Sequence, residues 1–244
     1  MRALSAAELL HVWERGVGQS PVQRALILFV LAAEETPVEQ LAELSIGQRD
    51  GHLLALREQT FGPHLASVAT CPACGDQIEF HVEADDIRAR SEPEPKAELH
   101  LAHADYNVEF RLPTSLDLTS LDPAADVETN RRHILQGCVT TARQAGREVA
   151  VADLPEEVTA AIARRMAEAD PQADVQLALA CPACRHNWQT QFDIVSYFWA
   201  EIHAWASRML REIHTLACAY GWGESEVLAL TPRRRQAYLE LIGS

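Results

Sequence analysis

The chain has 244 residues and a formal net charge of −14, from 21 basic and 35 acidic side chains. Hydrophobic residues make up 48% of it, which excludes a disordered chain. The length suits one large domain or two small ones. A surface this acidic repels phosphate backbones and anionic membranes, so neither nucleic acid nor a bilayer is expected as the main ligand.

Residues 1–10 are an amphipathic mix that includes Glu8, unlike a secretory leader. The longest apolar run, residues 25–33, is too short to span a bilayer. A soluble, cytoplasmic protein is expected. The first seventy residues read as helices. Ser20-Pro21-Val22-Gln23 is a capping box with proline at the first helical position, predicting a helix over residues 21–35. Thr36-Pro37-Val38-Glu39 repeats the device and starts another. A third follows Gly47, carries Leu53, Leu54 and Leu56, and stops near Phe61-Gly62-Pro63.

The pattern then changes. Ile78, Phe80 and Val82 alternate with polar residues, which is strand periodicity. Residues 91–96 are a charged, proline-broken loop. Leu99 and Leu101 begin a second alternating stretch and Val108 and Phe110 its partner, with the turn near residues 105–107 and Pro113 closing the β region. Helices return over residues 124–144 and again after Pro155 to Met166, ending at Asp170-Pro171. A strand-like run over residues 175–179 follows, with Trp188 and Phe192 on one parity beyond it. The last third is helical. Trp199, Ile202, Ala206, Met209, Ile213, Leu216 and Tyr220 form one apolar stripe, which Gly221 and Gly223 terminate. A shorter helix spans residues 224–230, and Thr231-Pro232 caps a last one.

Four of the six cysteines form two copies of one string, Cys71-Pro72-Ala73-Cys74 and Cys181-Pro182-Ala183-Cys184. Paired cysteines in a large chain from a reducing compartment point to metal rather than disulfides. Two thiolates two residues apart grip one tetrahedral ion, a second pair completes four ligands, and proline fixes a backbone angle in the turn. The pairs are far apart in sequence. Either the intervening residues are an insertion in one ribbon-like site, or each pair binds separately. An isolated pair is a poor zinc site, so a shared Zn2+ is favoured. Four sulfurs leave no place for water, so the ion is structural. A redox Cys-x-x-Cys needs its first cysteine at a helix N-terminus, whereas strand-like residues follow both pairs. Cys138 and Cys218 stand alone on helical patterns and are read as packing residues.

Other chemistry is not prompted. His100 and His103 face opposite sides of a strand, His203 and His214 share one helix face, and no phosphate loop or catalytic triad can be assembled. Trp205 and Trp222 are aromatic groups of the kind that anchor interfaces. Arg233, Arg234 and Arg235 put three cations at a helix N-terminus, where they oppose the dipole, and are candidate partner contacts with the two tryptophans.

Several strings in order resemble the baseplate proteins of contractile-tailed phages, the group called baseplate hub assembly chaperones, with relatives in contractile injection systems. The strings are Ser45-Ile46-Gly47-Gln48-Arg49-Asp50, Leu53-Leu54-Ala55-Leu56-Arg57, Phe61-Gly62, both cysteine strings, Leu210-Arg211-Glu212-Ile213-His214-Thr215-Leu216, Tyr220-Gly221-Trp222, and residues 224–230 and 233–241. Residues 114–171 match no motif. The resemblance implies a non-enzymatic protein that builds a baseplate or its hub through protein partners, free in the cytoplasm or carried in a phage-tail-like particle. A zinc-ribbon adaptor of a nucleic-acid complex and a thiol- or metal-dependent enzyme are the competing readings.

The expected fold is α+β and mainly helical, with a small antiparallel β region carrying a zinc-ribbon-like four-cysteine site. Its expected parts are a helical N-terminal region (1–66), a knuckle-bearing β region (67–113 and 172–194), a helical insertion (114–171) and a helical C-terminal region (195–244).

Overall fold

The computed structural model describes residues 2–32, 38–89 and 98–243. The capping string at residues 36–39, the end of the second helix at residue 35 and the loop at 91–96 lie in part or whole outside these residues. Helices and antiparallel strands are mixed, as the sequence leads one to expect.

Four helices come first: α1 (Ala6–Gly16), α2 (Pro21–Ala32), α3 (Val38–Glu43) and α4 (Ile46–Phe61). The Ser20 box forms as predicted: Gln23 N–H donates to Ser20 Oγ at 3.3 Å and Ser20 N–H to Gln23 Oε1 at 3.0 Å. Ser45 and Gln48 make the same box at the start of α4. Gly62 ends α4 at a φ of 94°, and the chain turns into β1 (His64–Thr70), which pairs antiparallel with β2 (Gln77–Glu83). The sequence reading named no strand before Cys71, and its boundary between the helical and β regions at residues 66 and 67 cuts through β1. Its alternation is hidden because the inward residues after Leu65 are the small Ser67 and Ala69.

A short helix, α5 (Ala84–Ile87), leads towards β3 (Leu99–His103), β4 (Tyr106–Phe110), α6 (Ser115–Thr119) and α7 (Val127–Cys138). The helix expected over 124–144 stops at Cys138. The β-branched Val139, Thr140 and Thr141 instead begin β5 (Val139–Gln144), which turns through Ala145 and Gly146, both at positive φ, into β6 (Arg147–Glu148). The order β3-β4-β5-β6 makes one antiparallel sheet. Hence the strand pair at 99–110 does not join the cysteine hairpins, and residues 114–171 are not wholly helical. The sheet packs Leu99, Val108, Phe110 and Ala142 against Leu135 and Cys138 of α7 and Val158 and Ile162 of α8 (Glu156–Ala169), a core of its own.

A 3-10 turn, Pro171–Ala173, returns the chain to a second hairpin, β7 (Val175–Ala180) with β8 (Asn187–Phe192). Asp193 caps the 27-residue α9 (Ile194–Tyr220), donated to by Val195 N–H at 2.9 Å. Its first half packs Phe198, Trp199 and Ile202 with α1, α2, α4 and both hairpins. Its second half packs Met209, Ile213 and Leu216 against α10 (Glu224–Leu228) and α11 (Pro232–Ile242). Gly221 ends α9 in the left-handed region, as predicted. No described helix is long and apolar enough to cross a membrane.

A buried polar knot ties the four-stranded lobe to the helical body. Asp170 Oδ2 accepts from Gly47 N–H at 2.8 Å, and a Cβ on Gly47 would stand 2.0 Å from the same carboxylate. Arg49 pairs with Asp50 at 2.8 Å and donates to Ser115 Oγ at 3.2 Å. Gln172 spans Ile87 O and Ala89 N–H.

Candidate metal centre

The two hairpins present their turns to each other. Each turn is built alike. Cys71 N–H donates to Asp76 O and Gly75 N–H to Cys71 O, both at 2.9 Å. Cys181 N–H donates to His186 O and Arg185 N–H to Cys181 O, again both at 2.9 Å. The residue after each second cysteine has positive φ, 79° at Gly75 and 62° at Arg185. The two knuckles are thus related as structural repeats.

This repetition brings together residues more than a hundred positions apart. Cys71 Sγ lies 3.6 Å from Cys184 Sγ, and Cys74 Sγ lies 3.6 Å from Cys181 Sγ. All four sulfurs fall within 4.8 Å of one another. Four sulfurs at about 2.3 Å around one zinc ion would sit about 3.8 Å apart, so cluster size and donor set fit a tetrahedral Zn2+. Among the described residues this is the one group of three or more metal-type ligands that converge.

The surroundings are half apolar. Cys71 and Cys181 are buried with Ile78 against Leu179, Ala69 and Trp188, while Cys74 and Cys184 reach solvent. Burial pushes the Cys71 thiol up, but N–H donors from Cys74 and Ala73 and the neighbouring sulfurs outweigh it and bring it down to about 7. An N–H from Asp76 favours the Cys74 thiolate, yet burial and the three other sulfurs push that thiol up to about 12. Four crowded sulfurs do not all ionise alone, and a cation among them is what would let them.

The remaining sequence candidates separate. Trp205 is half-buried between the two ends of the α9 core. Trp222 stacks on Tyr220 at 4.7 Å and meets Tyr238 edge-on at 4.9 Å. Arg233 and Arg234 are exposed at the start of α11. Arg235 is not with them: it is buried, pairs with Glu212 at 2.6 Å and donates to Leu230 O, because helix periodicity turns it inward. His203 Nδ1 accepts from Trp13 Nε1 at 3.0 Å, and His214 lies beside Cys218. Cys138 is a core residue, as expected, and burial pushes its thiol up to about 11. Cys218 is exposed, contrary to expectation. The sequence reading missed Arg57, whose side chain is among the largest fully buried ones and which the run of leucines before it disguises.

A family model described as T4 bacteriophage base plate protein matches residues 23–199. The match takes in α4, both knuckles and the start of α9. No curated protein and no solved structure matches the chain.

Proposed function

The chain belongs to the T4 bacteriophage base plate protein family, and from that membership we propose that it is a non-enzymatic assembly factor or component of the baseplate hub of a contractile injection machine, stabilised by one structural Zn2+. Its role is a baseplate-related structural or assembly one. The observation that carries the metal is the convergence of Cys71, Cys74, Cys181 and Cys184 from two identical turns. Because all four donors are thiols, no coordination place is left for water, which suits a staple and not a catalyst.

The staple has a mechanical logic. The four-stranded lobe follows β2 and precedes β7 in the chain, so the two hairpins flank it. Joining their tips fixes one hairpin against the other, and binding energy of this kind is on the order of 10 kcal/mol in small zinc domains. Partner proteins would meet the C-terminal end, where Trp222 follows α9 and the exposed cations of Arg233 and Arg234 open α11.

Elemental analysis of reduced, metal-replete protein tests the core of this reading. About one zinc per chain is expected. Cys71→Ser and Cys181→Ser should lower the melting temperature equally, since either opens the same site. Absence of zinc, or one silent substitution beside a damaging one, would overturn the shared centre.

A further inference from the structure

Arg24 on α2 carries more donors than the chain uses. Its Nε–H donates to Gly16 O at 3.1 Å, and its guanidinium carbon lies 4.6 Å from the centre of the Trp199 ring. Gly16 makes this seat possible: a Cβ there would collide with the same ring, so the end of α1 lies against Trp199 only as glycine. Nη1 and Nη2 have no partner among the described residues, so four N–H donors of a stacked, half-buried cation remain unspent.

A second donor stands beside them. His203 follows Trp199 by one turn of α9, and its Nδ1 accepts from Trp13 Nε1–H at 3.0 Å. A neutral imidazole bonded in that way carries its proton on Nε2, so the nitrogen left over is a donor. Arg24 and His203 line one open groove of about 330 Å³ together with Val17, Gly18, Trp199 and Ala200. None of these six is acidic, in a chain with 35 acidic side chains. Val17 is 52% exposed and gives the groove an aliphatic wall. Donors without an opposing acceptor side chain, next to an aliphatic wall, complement a carboxylate with an aliphatic neighbour. The net charge of −14 opposes such a ligand at long range, but beyond about 8 Å at physiological salt that field is screened and the groove's own groups decide.

We propose that the groove between the α1–α2 turn and α9 binds an Asp or Glu side chain of an extended segment of a partner protein. Arg24 and the Nε2–H of His203 hold the carboxylate, and Val17 packs an aliphatic residue beside it. An open groove lets the segment continue on both sides, which suits a side-chain carboxylate better than a chain end. The site involves neither knuckle and is independent of the metal and of the C-terminal end.

The probes are the blocked tripeptide acetyl-Val-Glu-Val-amide and its glutamine counterpart, titrated into the full chain while the Trp13 indole N–H signal, assigned by its loss in Trp13→Phe, is followed by NMR. The glutamate peptide should give a saturable shift, and the glutamine peptide should bind at least about tenfold more weakly. Arg24→Gln should cancel the difference between the two peptides. Val17→Glu places a rival carboxylate at an exposed position in the groove and should abolish binding while the chain melts normally. Equal binding of the two peptides, no saturation up to about 10 mM, or undiminished binding to Val17→Glu overturns the proposal. Acetate or acetyl-valine binding as tightly as the glutamate peptide overturns it too, by showing a general anion site or a chain-end site. Should Arg24→Gln lower the melting temperature through the lost stack on Trp199, Val17→Glu and the peptide pair decide the matter by themselves.

Discussion

Arg57 and Glu201 meet across 144 residues in a two-point ion pair, Nε to Oε2 at 2.7 Å and Nη2 to Oε1 at 2.6 Å. The other donors of the same guanidinium reach Gly62 O at 2.7 Å and His64 O at 2.8 Å, and the Tyr197 ring lies 5.5 Å away. One buried side chain thus joins the end of α4, the turn into β1 and the first third of α9. Arg57→Ala should cost on the order of 3 kcal/mol, since it leaves a partly buried carboxylate and two carbonyls without their donor. Arg57→Lys should recover little of that, because an ammonium has no planar fork. Denaturant unfolding measures both, and a loss under about 1 kcal/mol for the alanine variant would contradict the role.

The knuckles give a second prediction, through an asymmetry within their likeness. Gly75 and Arg185 hold the same left-handed position, and nothing lies within 4 Å of a Cβ built on Gly75. The difference between them is therefore backbone strain and not crowding. Gly75→Ala should lower stability by about 1 kcal/mol. Arg185→Gly should leave it unchanged or raise it by up to about 1 kcal/mol, the relief of strain being partly offset by the freer unfolded chain. A loss of similar size at both positions would show that Arg185 is held there by contacts.

Asp117 supplies a pH-dependent prediction. Hydrogen bonds from Arg111 at 2.7 and 2.8 Å, aided by Thr114 N–H at 2.8 Å, hold its carboxyl down at about 2. A depressed folded value stabilises above the unfolded value of 3.8 and is lost as pH falls towards 2. Arg111 is 36% exposed, so screening trims the effect to about 1 to 2 kcal/mol. At neutral pH the native chain should exceed Asp117→Asn by that amount, and the gap should close on acidification. Burial pushes Asp50 and Asp170 the other way, so the gap between the two proteins is the informative quantity, not either curve alone. A gap that persists at pH 2 would place the contribution in packing.

How far the sequence speaks for itself depends on how local each signal is. Ser20-Pro21-Val22-Gln23 predicts its helix because a capping box is complete within four residues. The stripe from Trp199 to Leu216 predicts α9 because one face repeats for about five turns. The cysteine strings announce a shared site because they are copies, whereas β1 before Cys71 stays hidden because its inward residues after Leu65 are small. Residues 139–144 fail the same test. Val139 to Gln144 follow a helix whose stop signal is only the single Gly137, and what completes the strand is pairing with β4, a partner about thirty residues away. The polar knot is invisible for a like reason. Gly47, Arg49 and Asp50 read as an ordinary helix start, and only Asp170 and Ser115, distant in sequence, reveal why those residue types stand there.

The C-terminal end carries the last prediction. Deleting residues 223–244 would strip Val227 from Leu216, both fully buried, so loss of binding after truncation would be confounded with a damaged core. Point changes avoid this. Arg233 and Arg234 are exposed, and reversing both to Glu should change stability by no more than about 0.5 kcal/mol. Arg235→Ala is the contrasting control: it strands Glu212 and should cost about 2 kcal/mol. Trp222→Ala removes one ring of the Tyr220–Trp222–Tyr238 cluster and should lower both stability and binding. If acidic partner proteins of the baseplate dock here, the Arg233→Glu, Arg234→Glu chain should co-purify with them at least about tenfold less well while melting normally. Undiminished capture by that chain would assign the whole end, aromatic cluster included, to the interior packing of α9, α10 and α11.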